Sequence, residues 1–273
     1  MPTKLPSVAT FESPGATYSG DPAKNPTQAV AYWLRRDIVR GVFQPLERLK
    51  VELLSQFYGV GHTPIREAIS RLLETGLISH EPQKGYRVAA VSVGDYNDVL
   101  DVYQRIRRLA LDMAMERGDE AWEERVVVQM HRSMKARPIS VDEDPEAREA
   151  WQRAYGDLQA ELVSGCASPA LIRIFRNIGA RAERYGNLYG DVTSELSRDF
   201  AAEHRQIVDA LIARDPQRVQ ALLDASGALS APMRASVVAA LSAGGAPTPR
   251  RARSAPSTDA PRPRGRPRKV AAS

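Results

Sequence analysis

The sequence has a single cysteine and no long apolar run, and each of these absences excludes certain classes of protein. A single cysteine, Cys166, excludes an internal disulfide, and no cysteine cluster is available to hold zinc. No apolar run approaches the roughly 18 residues that a membrane-spanning helix needs. The first residues lack the charged-then-apolar order of a secretory signal. We therefore expect a reduced, cytoplasmic protein with no membrane partner.

The side-chain sets that enzymes need are also missing. No nucleophile–base pair, glycine-rich phosphate loop or metal-ligand set can be recognised along the 273 residues. We therefore expect that the protein is not an enzyme and that its function is one of binding.

Positive charge is present, but it is concentrated at one end of the chain. The net charge is +5, yet residues 244–273 contain eight basic groups and a single acid, Asp259, so the remainder carries a small negative charge. A segment of one sign usually contacts a polyanion or keeps a protein soluble. The sequence thus predicts a basic C-terminal tail on a chain whose other residues are close to neutral in net charge.

The hydrophobic periodicity divides the chain into four parts. Residues 1–26 and 243–273 are rich in proline and small polar residues and are expected to be disordered. Residues 27–92 contain three short helical patterns followed by two alternating segments around Pro82, which is the order of a winged helix-turn-helix. Residues 93–242 are helical throughout and predict an all-α bundle of about six helices. The fold class is therefore mainly α.

Within residues 27–92, the third helical pattern has the character of a DNA-reading helix. Gly59 suits the left-handed turn before it, and Thr63 and Pro64 fit an N-cap and a first helical position. We expect buried stripes from Ala29, Trp33, Ile38 and Val42 in the first helix, Leu49, Val51, Leu53 and Leu54 at the second, and Ile65, Ala68, Ile69 and Leu72 in the third. The outward face of the third helix would present His62, Thr63, Arg66 and Ser70. An amphipathic helix of some other small helical domain is the alternative.

The motif that runs from Leu53 through Thr63-Pro64-Ile65-Arg66-Glu67-Ala68 to Ile78 resembles the winged helix of the GntR family of bacterial regulators. This resemblance implies a dimeric regulator that binds a palindromic operator in double-stranded DNA. It places His62 and Arg66 at base-reading positions, Thr63 at a phosphate-contacting position, and Lys84-Gly85 at the wing tip. The chain has Gly61-His62 where the family usually has Ser-Arg, a change that bears on the preferred operator and not on the docking mode.

The helical region resembles the effector-sensing domain of the FCD, or FadR-C-terminal-like, branch of that family. The landmark is Glu203-His204 before an apolar helix that ends at Arg214-Asp215. The branch often binds a divalent metal on one Asp and three His, and a small carboxylate beside it. Here Tyr155, Gln159 and Ser226 take three of the ligand positions and only His204 remains, so we predict no metal cofactor.

The same resemblance suggests an effector site on Arg107, Tyr155, Gln159 and His204. A family arginine near Arg107 clamps a carboxylate, for which the bidentate guanidinium is suited. His204 shares a predicted helix face with Leu196, Phe200, Ile207, Val208 and Leu211 and would point into the bundle. The alternatives are a solvated Arg107 on the helix surface and a His204 that is only a hydrogen-bonded core residue.

The tail segment Pro263-Arg264-Gly265-Arg266-Pro267 resembles an AT-hook, a peptide that binds the minor groove of A·T-rich DNA. Gly265 would let the backbone approach the groove floor while Arg264 and Arg266 lie along it. The alternative is a tail that binds DNA by charge alone.

These features lead to two functional hypotheses. The first is a transcriptional regulator, which we expect to be a repressor, whose helical domain dimerises and senses a small carboxylate. The alternative is an architectural, nucleoid-associated protein whose helical domain only dimerises.

Overall fold

The computed structural model describes residues 24–135, 145–190, 199–226 and 231–244. Its N-terminal part contains three helices and a two-stranded antiparallel sheet, in the order predicted for a winged helix-turn-helix. These elements are α1 (Pro26–Val39), α2 (Val51–Tyr58), α3 (His62–Leu73), β1 (Ile78–Glu81) and β2 (Gly85–Val88). The prediction of a winged helix-turn-helix in this part of the chain is confirmed.

The helix boundaries follow local chemistry, with one departure from prediction. The side chain of Asn25 caps α1, and α2 ends at Gly59, whose φ of 64° lies in the left-handed region as expected. The prediction that Thr63 caps α3 is wrong, because the helix begins at His62 and its N-cap is the extended Gly61, which offers no side chain. Pro64 therefore lies inside the first turn, where its missing N–H still costs nothing.

The core of the winged helix contains most of the expected apolar residues. Ala29, Trp33 and Ile38 are buried, but Val42 and Leu53, which were expected in the core, are 44% and 47% exposed. Because α1 ends at Val39, Val42 falls outside the helical period and the next residue, Phe43, enters the core instead. On α2 the buried face is formed by Leu54, Phe57 and Tyr58.

The wing is a short hairpin stiffened by a third segment of chain. β1 pairs with β2 so that Ile78 opposes Val88 and His80 opposes Tyr86. The loop before α2 runs along β2, where Leu49 donates its N–H to the carbonyl of Tyr86 at 2.9 Å. Arg48 donates to the carbonyl of Lys84 at 3.0 and 3.2 Å. A two-stranded hairpin alone is marginally stable, so these contacts fix the position of the wing tip.

The C-terminal part is entirely helical in its described residues. Its helices are α4 (Val93–Arg117), α5 (Glu120–Lys135), α6 (Pro145–Ser164), α7 (Pro169–Tyr189), α8 (Phe200–Ile212), α9 (Pro216–Ser226) and α10 (Ala231–Ser242). The all-α prediction is confirmed. Among the described helices, none is long and apolar enough to cross a membrane.

Arg214 joins two corners of this bundle. Its guanidinium donates to the carbonyls of Ala114, Met115 and Gly118 at 2.8–3.0 Å and lies over the ring of Trp122. The last carbonyls of a helix have no partner within it, so a cation there satisfies them and complements the helix dipole. The junction between α8 and α9 is thereby fixed to the C-terminus of α4.

Helix α7 also packs on the winged helix. Its Ala180 belongs to the apolar core of the N-terminal domain, and the carbonyl of Arg176 accepts a 2.6 Å hydrogen bond from Arg35 on α1. Arg184, which is buried, donates to the carbonyl of Ala89 at 2.6 Å. The two domains therefore share an interface centred on one helix.

Gly165→Ala should destabilise the helical domain, because a Cβ at Gly165 would lie 2.6 Å from the indole of the fully buried Trp122. Overpacking of this kind costs about 1–3 kcal/mol, measured as the free energy of unfolding in urea.

Gly156→Ala is the matched control, since nothing lies within 4 Å of a Cβ at this position on α6. Helix propensity should make it stabilising by up to about 1 kcal/mol. Equal effects of the two substitutions would contradict the packing described around Trp122.

Candidate nucleic-acid interface and effector site

The outward face of α3 is polar and accessible. His62, Thr63, Arg66 and Ser70 are all exposed, while Ile65, Ala68, Ile69 and Leu72 are buried on the opposite face. Within the part of the chain that the structure describes, Arg66 makes no ion pair or hydrogen bond. A guanidinium at the first turns of an exposed helix can reach the edge of a guanine, and the N–H groups of that turn attract phosphate.

Contacts with α1 and α2 hold this face in position. The hydroxyl of Thr27 donates to the carboxylate of Glu67 on α3 at 2.8 Å, and the hydroxyl of Tyr58 on α2 donates to Asp37 on α1 at 2.8 Å. Burial raises the pKa of Asp37 although Arg36 lies 3.1 Å away and acts in the opposite direction. The three helices are thus joined by buried packing and by directed polar bonds.

The wing tip presents Lys84 and Gly85, as predicted from the sequence. Gly85 has a φ of 81°, and a Cβ there would meet nothing within 4 Å, so the backbone is open to a close approach. The ammonium of Lys84 is exposed and lies 3.0 Å from Glu81, whose pKa is lowered chiefly by this hydrogen bond. Sequence reasoning missed the role of Arg48, because an arginine in a loop has no periodic pattern that would indicate its support of a hairpin.

The remaining predicted DNA contacts, Arg264, Gly265 and Arg266, lie outside the described residues. Their position relative to the wing and to α3 is therefore not part of the interface described above.

Three of the four predicted effector residues come together inside the bundle. His204 on α8 and Gln159 on α6 are 6% and 5% exposed, and their Nε2 atoms lie 2.8 Å apart. Which ring nitrogen of His204 carries the proton in this contact depends on the imidazole tautomer. The ring of Tyr155 stands edge-on to His204 at 5.1 Å. The buried Oε1 of Gln159 has no hydrogen-bond partner within the described part of the chain.

The fourth residue, Arg107, is buried next to this group. It is 5% exposed, and its Nε has no hydrogen-bond partner among the residues that the structure describes. Burial raises the pKa of Tyr103 to about 12, with the charge of Arg107 acting against the shift and Tyr155 and Glu183 adding to it, so these side chains are electrostatic neighbours. We refer to Tyr103, Arg107, Tyr155, Gln159 and His204 as the sensor cluster.

The alternative that Arg107 is a solvated surface residue is wrong. Its neighbours on α4 take that role, since Arg105 pairs with Asp101 at 2.8 Å in solvent and Arg108 bonds to Gln220 and Asp224 on α9. Burying a cation without a counter-charge is costly unless a ligand supplies one. The sensor cluster therefore has the character of an anion site.

The sensor cluster does not suit a divalent metal. One imidazole, already bonded to an amide, stands with a phenol and a guanidinium, whereas a tightly bound metal needs several convergent nitrogen or carboxylate donors. In residues 24–135, 145–190, 199–226 and 231–244 there is no group of three or more His, Cys, Asp or Glu side chains that could hold one. The side chain of Ser226 and the predicted neighbours Leu196 and Phe200 fall outside what the structure describes.

Comparison with known proteins gives two family matches along the chain. Residues 26–88 match the bacterial regulatory proteins of the gntR family, and residues 98–226 match the FCD domain. The first range contains the exposed face of α3 and the wing, and the second contains the sensor cluster.

Individual relatives extend these matches. The HTH-type transcriptional repressor GlaR of Escherichia coli K12 is 30% identical over 194 residues, which cover 70% of this chain and 87% of GlaR. The uncharacterized HTH-type transcriptional regulator BphR of Paraburkholderia xenovorans LB400 is 30% identical over 190 residues, 70% of this chain and 77% of BphR. The solved structure of E. coli McbR/YncC has a TM-score of 0.61 at 16% identity and covers 80% of this chain and 97% of its own, which shows a common fold.

Proposed function

The chain belongs to the GntR family of bacterial regulatory proteins, with a winged helix followed by an FCD domain, and is a DNA-binding transcriptional regulator; from this we propose that it is a homodimeric repressor whose sensor cluster binds a small carboxylate. The observation that carries the proposal is the combination of an exposed, polar face on α3 with a buried arginine, Arg107, that makes no ion pair with the residues that the structure describes.

In the proposed complex, α3 enters the major groove. Arg66 reads a base edge, His62 and Ser70 flank it, and Thr63 contacts a phosphate at the helix N-terminus. Lys84 and Gly85 bring the wing to the neighbouring minor groove. Two copies related by two-fold symmetry would read a palindrome, because the half-sites of an operator mirror the symmetry of the dimer.

In the proposed sensor, the carboxylate of the ligand pairs with the guanidinium of Arg107. Tyr155, Gln159 and His204 lie at the same site, and the free Oε1 of Gln159 accepts a hydrogen bond from a donor group on the ligand. Because Arg107 would supply the positive charge that pairs with the carboxylate, the proposed ligand binding needs no metal.

In the proposed tail interaction, Arg264, Gly265 and Arg266 bind A·T-rich minor groove beside the operator. A second weak site on a flexible connection raises the apparent affinity through effective concentration. The tail thus adds affinity without changing the palindrome that the winged helix reads.

Selection of bound sequences from random duplex DNA tests the proposal directly. A short palindrome enriched by the protein supports an operator-specific regulator. Enrichment of unpatterned A·T-rich DNA alone would favour an architectural protein and would overturn the proposal.

Arg66→Ala should weaken binding to the selected operator by about 1–3 kcal/mol, the usual cost of a lost base contact, and relax the preference at one position of each half-site. Fluorescence anisotropy with operator variants measures both effects. Arg71→Ala is the matched control, because it removes the same charge from an exposed position near the other end of α3. Equal losses of operator affinity in the two variants would contradict the proposed docking of α3 in the major groove.

Truncation after Gly244 should lower affinity and reduce the salt dependence of binding, since each phosphate contact contributes a slope of about −0.9 in log K against log salt. The selected palindrome should stay the same. A double Arg264→Lys and Arg266→Lys variant keeps the charge and should lose only the preference for A·T-rich flanks. A tail that acts by charge alone would instead make this variant indistinguishable from the full chain.

Arg107→Met should stabilise the ligand-free protein by about 1–3 kcal/mol, because it removes a buried polar group without a partner. It should also abolish stabilisation by anions in a thermal-shift panel of small mono- and dicarboxylates with chelator present. Arg105→Met, which changes an exposed arginine two residues away, is the control. Carboxylates that stabilise the Arg107→Met variant as much as the unchanged chain would rule out an anion site on Arg107.

A further inference from the structure

One side chain on α7 makes hydrogen bonds to both domains. The Nδ2 of Asn187 donates to the carbonyl of Val39 at 3.1 Å, and its Oδ1 accepts from the Nε2 of Gln152 at 3.1 Å. Val39 is the last residue of α1 in the winged helix, whereas Gln152 lies on α6 in the FCD domain. Asn187 therefore bridges the two domains through directed bonds at both ends of a short amide.

The α6 end of this bridge leads to the sensor cluster. Gln152 precedes Tyr155 by three residues and Gln159 by seven, and residues at these spacings lie on the same face of a helix. A shift or rotation of α6 that accommodates a ligand at Tyr155 and Gln159 moves Gln152 with it. The hydrogen bond from Gln152 transmits that movement to Asn187.

The α1 end leads to the DNA-reading helix. The carbonyl of Val39 has no partner within α1 because it lies at the helix C-terminus, so Asn187 satisfies it. Helix α1 packs across α3 and bonds to it through Thr27 and Glu67. Immediately after α1, Gly41 faces Leu188 so closely that a Cβ would lie 2.6 Å from its Cδ2. A displacement of this part of α7 therefore displaces the scaffold that carries Arg66.

We propose that the hydrogen-bond chain Gln152–Asn187–Val39 couples the sensor cluster to operator binding. The proposal rests on the function proposed above and goes beyond it by assigning the coupling to one residue. Asn187 is a positioning residue that contacts neither DNA nor ligand. Breaking the chain leaves both binding sites intact and removes the communication between them.

Reciprocity of coupling allows a test with DNA as the only ligand. If an effector at the sensor cluster alters operator affinity, operator binding must alter the affinity of the sensor cluster for that effector by the same factor, which requires the operator to act on the sensor cluster. Hydrogen exchange of the backbone amides in residues 155–163, with and without the selected operator duplex, reports that change. We expect operator binding to change the exchange of these α6 amides in the full-length protein.

Gln152→Ala is the decisive variant, because it breaks the chain on α6, away from the winged helix. Operator affinity should stay within about twofold, which is small beside the typical allosteric coupling of about 5–150-fold, while the operator-dependent change in α6 is lost. Asn187→Ala should lose the same change. Asn177→Ala is the matched control, since this asparagine is half-buried on the same helix and makes no hydrogen bond with the described residues.

The outcomes separate the proposals. Loss of the α6 change in Gln152→Ala, with its retention in Asn177→Ala, supports the coupling. No α6 change in the full-length protein on bound operator, or an undiminished change in Gln152→Ala, overturns it while leaving the operator function intact. Failure of the full-length protein to select any operator would instead remove the function on which the coupling rests. If Asn187→Ala does not fold, Gln152→Ala decides alone.

Discussion

Asp95 accepts hydrogen bonds from Arg181 and from the hydroxyl of Tyr185, each at 2.6 Å, where the chain leaves the wing and enters α4. The two donors lie four residues apart on α7, so this carboxylate fixes the start of one sensor helix against the end of another. Burial, with the carboxylate bond adding to it, raises the pKa of Tyr185 and keeps it a donor at any physiological pH. The packing of α7 against the winged helix depends on this junction, and the interface between the two domains is centred on α7.

The winged helix could be predicted from the sequence because its local and tertiary requirements agree. Gly59 is needed for a left-handed turn, and the apolar positions of α3 recur at helical spacing. At the positions where the local and the tertiary requirements disagree, the prediction from sequence was wrong. Thr63 is a better cap than Gly61 by its side chain, yet the chain enters the helix two residues earlier and leaves the hydroxyl of Thr63 exposed on the outward face of α3. Val42 has the right residue type for a core, but the end of α1 at Val39 turns it to solvent.

The sensor cluster was predictable only in part, and the reason is geometric. Tyr155, Gln159 and His204 were identified because the resemblance fixed their spacing to a known set of positions. Arg107 could not be distinguished from Arg105 and Arg108 by periodicity, because α4 touches α6, α7 and α9 and has buried residues on more than one side. Gln152 and Asn187 carried no signal at all, since a polar side chain that bridges two domains looks like any surface amide in the sequence.

The buried guanidinium of Arg107, which makes no ion pair with the described residues, bears on how the proposed regulator would switch. A ligand shifts a two-state equilibrium only by its difference in affinity for the two states. Neutralising Arg107 supplies a large favourable term, but it drives a change only if the geometry of the site differs between the states. Of the helices that carry the sensor cluster, α4 meets α7 through the stacked rings of Tyr103 and Phe175, and α6 meets it through Gln152. Helix α8 holds His204 against α6, so a ligand that displaces His204 acts on the winged helix through Gln159 and α6. In the proposed switch, the difference in affinity would therefore arise where α4 and α6 contact α7, and not at the guanidinium itself.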